Sequence, residues 1–239
     1  MKLDIKNDDK CYNSDSIENG RIIKDFFQRL SKNIFEQAKR YDKKHHELTK
    51  DHDLSLLYSE RVIGSTISCA INEITPVHLS EWGFNKSEEN TDANRRVDFW
   101  CLHKRNDTGK ALNYFLEIKK SGYKLEKNFI YQVTKDKIKE LLGQVQSLKG
   151  ISPEWLGDDD AFIGIIIVHG YCNDNSVEKD IIGTPEKLRE HIYNEIDKRS
   201  GAQLLISTWM LPDNIEAKWG NDDICKFVSI AGLVITKKR

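Results

Sequence analysis

The chain contains two neighbouring stretches that decide its fold, Arg95-Arg-Val-Asp-Phe-Trp-Cys-Leu-His-Lys104 and Asn113-Tyr-Phe-Leu-Glu-Ile-Lys-Lys120. Val97, Phe99 and Cys101 alternate with other side chains in the first stretch, and the second stretch shows the same two-residue period. This period is typical of a β-strand. A turn-rich segment of Asn, Asp, Thr and Gly lies between the two stretches, so we predict a β-hairpin.

The predicted hairpin carries three charged residues that suit one kind of chemistry. Asp98 lies in the first strand, and Glu117 and Lys119 lie two residues apart in the second, on the same face. Carboxylate oxygens are ligands of Mg²⁺, which keeps several waters for a substrate phosphate to displace. A lysine beside such an ion orients or deprotonates the attacking water, or holds the phosphate charge. The three residues therefore predict metal-dependent hydrolysis of a phosphate ester.

The short motif alone is a weak signal, because an acid stands two residues before a lysine five times in this chain. The five pairs are Asp4/Lys6, Asp8/Lys10, Asp42/Lys44, Glu117/Lys119 and Glu216/Lys218. The fourth pair alone lies in a predicted apolar strand, with a second strand-borne acid before it and an amphipathic helix after it. The alternative is that these residues lie on the solvent face of a half-exposed hairpin.

The rest of the chain predicts a mixed α/β fold. Apolar residues at three- and four-residue steps predict an amphipathic helix over 21–41, followed by a charged linker over 42–53. A second helical pattern covers 54–74. The further predicted elements are a strand from Val77, a polar loop at 85–94, helices at 134–149 and 185–198, and strands at 162–168, 203–210 and 226–236.

The residues Arg96-Val-Asp-Phe-Trp100 and Tyr114-Phe-Leu-Glu-Ile-Lys-Lys-Ser121, in this order of elements, resemble the PD-(D/E)XK nuclease superfamily. The resemblance covers roughly residues 54–171, and Val97 stands where the name of the superfamily has a proline. It implies a restriction endonuclease-like αβββαβ core, in which helices flank a central mixed sheet. The nuclease-like domain would cover 54–239 and end in an added helix and two strands, after an N-terminal arm over 1–53.

The resemblance also implies a set of site residues. Glu60, Asp98 and Glu117 would hold Mg²⁺, with the backbone carbonyl of Ile118 as a further ligand. Mn²⁺ would be a substitute for Mg²⁺. Lys119 would position the attacking water.

Two members of this set have competitors in the sequence. Glu60 matches the acid that the superfamily carries on its first core helix, and Glu73 and Glu81 are the other acids near this place. Gln144 matches a glutamine that often follows the motif on the next helix, and Gln146 is its neighbour.

The net charge hides two opposed regions. The chain of 239 residues has 37 Lys and Arg against 38 Asp and Glu, which gives a net charge of -1. Between Arg95 and Pro153 thirteen basic residues face six acidic ones, a balance of +7, so the rest of the chain carries -8. The positive region surrounds the predicted hairpin, as binding to a polyanion requires.

The cysteines and histidines do not follow the spacing of a zinc site. The five cysteines are scattered singly and contain no Cys-x-x-Cys pair, which is typical of free thiols in a reducing compartment. His45, His46 and His52 lie among lysines and acids, so we interpret them as part of an exposed polar linker.

These features predict a metal-dependent nuclease, and an endonuclease acting on DNA is favoured over one acting on RNA. The resemblance favours a component of restriction or anti-phage defence, working with a protein partner or as a homodimer. No apolar run approaches the ~20 residues that cross a bilayer, and the N-terminus has no apolar signal core, so we expect a cytoplasmic protein with no membrane contact. The alternative is a non-catalytic interaction module that docks through the apolar helix face between Ile22 and Ala38.

Overall fold

The computed structural model of the chain describes residues 19–84, 95–104, 109, 111–126, 132–148, 159–173, 182–196, 200–211, 215–216 and 223–238. Residues 1–18 of the predicted arm and the predicted polar loop at 85–94 lie outside this set. Within the set, no helix is both long and apolar enough to cross a membrane.

The described residues form four α-helices and six β-strands. The helices are α1 (Gly20–Thr49), α2 (Glu60–Asn72), α3 (Gln132–Leu148) and α4 (Pro185–Glu195), with a 3₁₀ turn at Ser55–Leu57. The strands are β1 (His78–Phe84), β2 (Arg95–Lys104), β3 (Ala111–Lys124), β4 (Asp159–Asn173), β5 (Gln203–Met210) and β6 (Asp223–Lys238). After the first two helices, each predicted helix and strand is present, with bounds that differ by a few residues.

The six strands form one sheet in the order β1-β2-β3-β4-β6-β5. Neighbouring strands run antiparallel except β3 and β4, which run parallel because α3 carries the chain back between them. The continuous apolar run predicted at 162–168 lies in β4, inside the sheet, and is buried throughout. The predicted α/β class is confirmed, with a mostly antiparallel sheet.

The first helix is longer than the sequence pattern predicts. The pattern predicts a helix over 21–41 and a linker over 42–53, but α1 continues to Thr49. The linker prediction is wrong over its first eight residues because no proline or glycine interrupts them and their charges pair along the helix. Lys44 Nζ, for example, lies 2.7 Å from Glu47 Oε2.

The second helix begins later than the sequence pattern predicts. The pattern starts at Leu54, whereas α2 begins at Glu60, after the 3₁₀ turn and two extended residues. Lys120 Nζ of β3 donates hydrogen bonds of 2.6 Å to the backbone carbonyls of Leu57 and Tyr58. This bond pair holds the start of α2 against the sheet.

Helices cover both faces of the sheet. α1 and α2 pack on one face, where the ring of fully buried Phe26 stacks on Tyr114 of β3 with 3.8 Å between centroids. α3 and α4 pack on the other face. Gly164 of β4 lets α3 approach closely, since an added Cβ there would lie 2.6 Å from Leu141 Cγ. Because Gly164 pairs with Glu117, this close approach brings α3 over the acid of β3.

We expect the Phe26→Ala substitution to lower the free energy of unfolding by about 3–5 kcal/mol, because it leaves a cavity between α1 and the sheet. Urea unfolding of the full chain measures this loss. Leu48→Ala is the matched control on the same helix, because Leu48 is 85% exposed, and it should change stability by less than about 0.5 kcal/mol. Equal effects of the two substitutions would contradict the packing of α1 on the sheet.

Candidate functional site

An open cavity of about 830 Å³ lies between α2 and one end of β1, β2 and β3. The charged residues that line it are Glu60, Arg61, Glu81, Arg96, Asp98 and Lys119. The wall formed by α2 otherwise consists of small residues, Gly64, Ser65, Ser68 and Cys69. Four of the predicted site residues thus line the same cavity, namely Glu60, Asp98, Ile118 and Lys119, together with the competing acid Glu81.

The cavity lies where β2 and β3 separate. The pairing of the two strands stops at Phe99 and Leu116, while β3 remains paired with β4 on its other side as far as Lys124. One edge of β3 is therefore open beyond Leu116. Backbone N–H groups along such an edge need acceptors, because a buried and unpaired N–H destabilises the fold.

Two carboxylates supply acceptors at the open edge of β3. The N–H of Ile118 donates to Asp98 Oδ2 at 2.7 Å, and the N–H of Lys120 donates to Glu60 Oε1 at 3.0 Å. The bonded residues are 20 and 60 positions apart in the chain. The backbone of β3 thereby orients two acids from different elements toward one place.

The regular alternation of β2 breaks at Asp98. Val97 packs on the α3 side of the sheet and Phe99 packs on the α2 side, although residues two apart in a regular strand share a face. In the adjoining strand Glu81 has a left-handed φ of 51°. Such a conformation is unfavourable for a residue with a side chain and persists where the surroundings impose it. Both acids at this break line the cavity.

Glu117 is buried on the α3 side of the sheet and is not among the residues that line the cavity. Along this face of β3, Glu117 follows Phe115, which packs in the hydrophobic cluster under α3, and precedes Lys119, which contacts α3. Burial, together with the nearby Asp98 carboxylate, raises the pKa of Glu117 to about 8. Burial also raises the pKa of Asp98, although the hydrogen bond from Ile118 opposes this shift.

The ammonium group of Lys119 is held by α3. Lys119 Nζ lies 3.1 Å from Glu140 Oε1, and Glu140 Oε2 lies 3.1 Å from Lys137 Nζ. Burial by itself would lower the pKa of Lys119, but the hydrogen bond to Glu140 and the charges of Glu60 and Asp98 raise it overall. Lys119 is therefore protonated at neutral pH and fixed in direction.

Gln144 takes no part in this arrangement. It does not line the cavity, and its buried Oε1 accepts no hydrogen bond in the described part of the chain. Glu140, one turn earlier on α3, makes the contact with Lys119 instead. The sequence does indicate that Glu140 lies on the same helix face as the predicted Gln144, because residues four apart on a helix share a face.

The two acids that compete with Glu60 lie in different places. Glu81 lines the cavity, and its charge contributes to the raised pKa values of Asp98 and Glu117. Glu73 is paired away from the cavity, with its Oε1 2.8 Å from an amino group of Arg40 on α1. Glu81 is therefore an additional site acid, and Glu73 is not.

The acids around the cavity suit a hard divalent cation in their chemistry. Glu60, Glu81 and Asp98 offer carboxylate oxygens, which are the ligands that such ions prefer, and burial raises the pKa values of Asp98 and Glu117. No three acidic, histidine or cysteine side chains within the described ranges are already gathered around one metal position. Asp98 and Glu60 each accept a backbone N–H of β3 through one oxygen, which leaves the second oxygen of each carboxylate for a cation.

The histidines near the end of α1 are held by local contacts. His46 lies in the last turns of α1, and its ring stacks on that of His52 with 4.3 Å between centroids. His52 Nδ1 lies 3.1 Å from Asp42 Oδ1, which also accepts the N–H of Asp53 at 2.9 Å. The chain thus folds back onto the end of α1, and the three histidines are half-buried rather than exposed as predicted.

Comparisons with known proteins do not identify the chain. No protein-family model, no curated protein and no solved structure matches it. The function therefore has to be inferred from the chemistry of the cavity.

We expect the metal-free protein to lose stability as the pH rises from about 5 to 9, in part through Glu117. Its pKa is raised from 4.5 to about 8 in the folded state, so the folded state binds the proton more tightly. The contribution is present below pH 4.5 and is lost as the pH rises through about 8. Urea unfolding in EDTA at about pH 5 and about pH 9 should show a smaller loss in the free energy of unfolding for Glu117→Gln than for the parent protein.

Glu190→Gln is the matched control, because Glu190 is exposed on α4. It should keep the full pH dependence of the parent protein. An identical pH dependence in Glu117→Gln and the parent would contradict the raised pKa of Glu117.

Proposed function

We propose that this protein is a metal-dependent nuclease with a restriction endonuclease-like core of the PD-(D/E)XK type, which hydrolyses phosphodiester bonds of nucleic acid. The observation that carries the proposal is that Glu60, Asp98 and Lys119 line one cavity where β2 and β3 separate. The order α2-β1-β2-β3-α3-β4 supports it, because it is the αβββαβ order of such a core.

The acids are proposed as the metal ligands. Glu60 and Asp98, which line the cavity, would hold Mg²⁺ or Mn²⁺ with the carbonyl of Ile118, and Glu81 would be a further ligand in the same cavity. Glu117 completes the predicted set, but its carboxylate is buried on the α3 side of the sheet and would have to turn toward the cavity to reach the ion. When bound, the ion polarises the phosphate and lowers the pKa of a bound water. The N–H of Ile118 orients Asp98, and the N–H of Lys120 orients Glu60.

Lys119 acts in this proposal as a cation rather than as a base. Its raised pKa keeps it protonated at neutral pH, and a protonated amine offers donors and no acceptor. It therefore holds charge on the phosphate and orients the attacking water by hydrogen bonding. Glu140 fixes the direction of the Lys119 ammonium and is a positioning residue.

The substrate that we favour is DNA, cleaved internally. We infer this from the resemblance in the hairpin motif, which also favours restriction or anti-phage defence in the cytoplasm. The excess of basic residues between Arg95 and Pro153 supports binding to a polyanion. Because the net charge of the whole chain is -1, a protein partner or a second copy of the chain would supply further affinity.

The alternative of a non-catalytic interaction module has lost its main support. It depended on an unpartnered apolar face of α1. Phe26 and Phe35 on that face are buried, and Phe35 stacks on Trp209 of β5 with 4.9 Å between centroids. The sheet of this chain therefore covers the apolar face of α1 that the interaction module would use for docking.

We expect the purified protein to cleave nucleic acid in Mg²⁺ or Mn²⁺, and Asp98→Asn and Lys119→Met each to lower the rate by at least about 100-fold. Asparagine keeps an oxygen for the N–H of Ile118, and methionine keeps the apolar stem of the lysine. The assay incubates the protein with single- and double-stranded DNA and RNA and follows the products on gels.

Asp136→Asn and Lys139→Met are the matched controls, because both residues are exposed on α3. The controls should cleave like the parent protein. Cleavage that persists in both site variants would remove the site assignment. Failure to cleave any of the four nucleic acids, together with no binding of divalent metal, would favour the interaction module.

We also expect Mg²⁺ or Mn²⁺ to raise the midpoint of thermal unfolding. A ligand that binds only the folded state at 100 times its Kd stabilises by about 2.7 kcal/mol. Asp98→Asn and Glu117→Gln should reduce this shift, whereas Asp136→Asn should keep it. An equal shift in all four proteins would place the bound ion away from the proposed ligands.

A further inference from the structure

We propose that Arg61 and Arg96 form a phosphate-binding subsite in the cavity, which holds the sugar-phosphate backbone of a nucleic-acid strand beside the site carboxylates. The inference rests on the proposed function and names two substrate-binding residues for it. Arg61 lies in the first turn of α2, next to Glu60, and Arg96 lies in β2, two residues before Asp98. Each arginine thus enters the cavity beside one of the acids.

The two guanidinium groups are available to a ligand. Arg61 and Arg96 are exposed, line the cavity, and form no ion pair with any carboxylate of the described chain. Arg40 differs, because its guanidinium lies 2.8 Å from Glu73. An arginine offers a planar set of N–H donors that matches phosphate oxygens and remains charged at every physiological pH.

The charge of the cavity creates a need for such groups. Glu60, Glu81 and Asp98 would repel a phosphodiester backbone at the same place where it has to bind. A divalent ion would offset part of this repulsion, and Lys119, which also pairs with Glu140, serves the phosphate at the reacting centre. The two unpaired guanidinium groups are therefore the cavity cations that can attract the flanking phosphates.

Small residues on α2 leave room for the strand. Gly64 lies in the interior of α2, where glycine is less favourable than alanine. Packing does not require it, because an added Cβ would meet only Phe99 Cζ, at an ordinary 3.9 Å. Ser65 adds an exposed hydroxyl donor on the same wall. The absence of a side chain at Gly64 keeps the cavity open, although glycine lowers the stability of α2.

The binding test uses the full chain in EDTA, where no metal-dependent cleavage occurs. Fluorescence anisotropy measures the Kd of labelled single-stranded and duplex DNA at several salt concentrations. Arg61→Ala and Arg96→Ala should each weaken binding at least about fivefold. Each should also reduce the slope of log K against log salt by about 0.9 on duplex DNA. Arg40→Ala removes the same charge away from the cavity and should leave both quantities unchanged.

Two further variants and a second measurement locate the strand. Gly64→Met should weaken binding while the protein remains folded, because the long side chain fills the cavity. Cys69 lines the cavity and is exposed, whereas Cys101, Cys172 and Cys225 are buried. Saturating DNA should slow the alkylation of Cys69 by iodoacetamide. Peptide mass spectrometry measures the extent of this alkylation. Ser65→Trp should weaken binding for the same steric reason as Gly64→Met.

The outcomes separate this inference from the proposed function. Arginine variants that bind and protect Cys69 as the parent does would overturn the subsite, even if the parent cleaves DNA. DNA binding that leaves Cys69 fully reactive would overturn it as well. Arginine-dependent binding and protection in a protein that cleaves nothing would support the subsite and remove the nuclease proposal.

Discussion

The separation of β2 from β3 beyond Phe99 and Leu116 is the constraint on which the site depends. β3 keeps its partner β4 as far as Lys124, while its other edge carries N–H groups without a strand acceptor. An unsatisfied buried N–H costs about 1–3 kcal/mol, and Asp98 removes part of this penalty at the half-buried N–H of Ile118, while Glu60 accepts the exposed N–H of Lys120. The same bonds that complete the fold therefore hold two acids at the cavity.

A second set of bonds determines where Glu60 lies. Lys120 Nζ binds the carbonyls of Leu57 and Tyr58, and His169 of β4 lies with its Nε2 2.7 Å from the carbonyl of Leu56. Both side chains come from the sheet, and both contact the turn immediately before α2. Burial keeps His169 neutral by lowering its pKa to about 3. The sheet thus positions the first residue of α2 through backbone carbonyls.

The site concentrates features that oppose stability. Asp98 and Glu117 have raised pKa values through burial, and Glu81 has a left-handed backbone conformation. Gly64 weakens α2 without being required by packing. Such features are expected where a protein binds or reacts, because charge and space are kept there for a ligand. Asp98, Glu81 and Gly64 line the cavity, and Glu117 is buried near Asp98, so these features support both the nuclease and its phosphate subsite.

The local sequence pattern is sufficient to predict the strands of the hairpin, the shared face of Glu117 and Lys119, and the apolar face of α1. These features repeat every two or three to four residues, so neighbouring side chains encode them. The pattern did not reveal that Glu140 pairs with Lys119, that Glu117 lies off the cavity, or that α1 runs to Thr49. Pairings such as Glu60 with Lys120, 60 residues apart, arise from packing across the sheet, which no local period records.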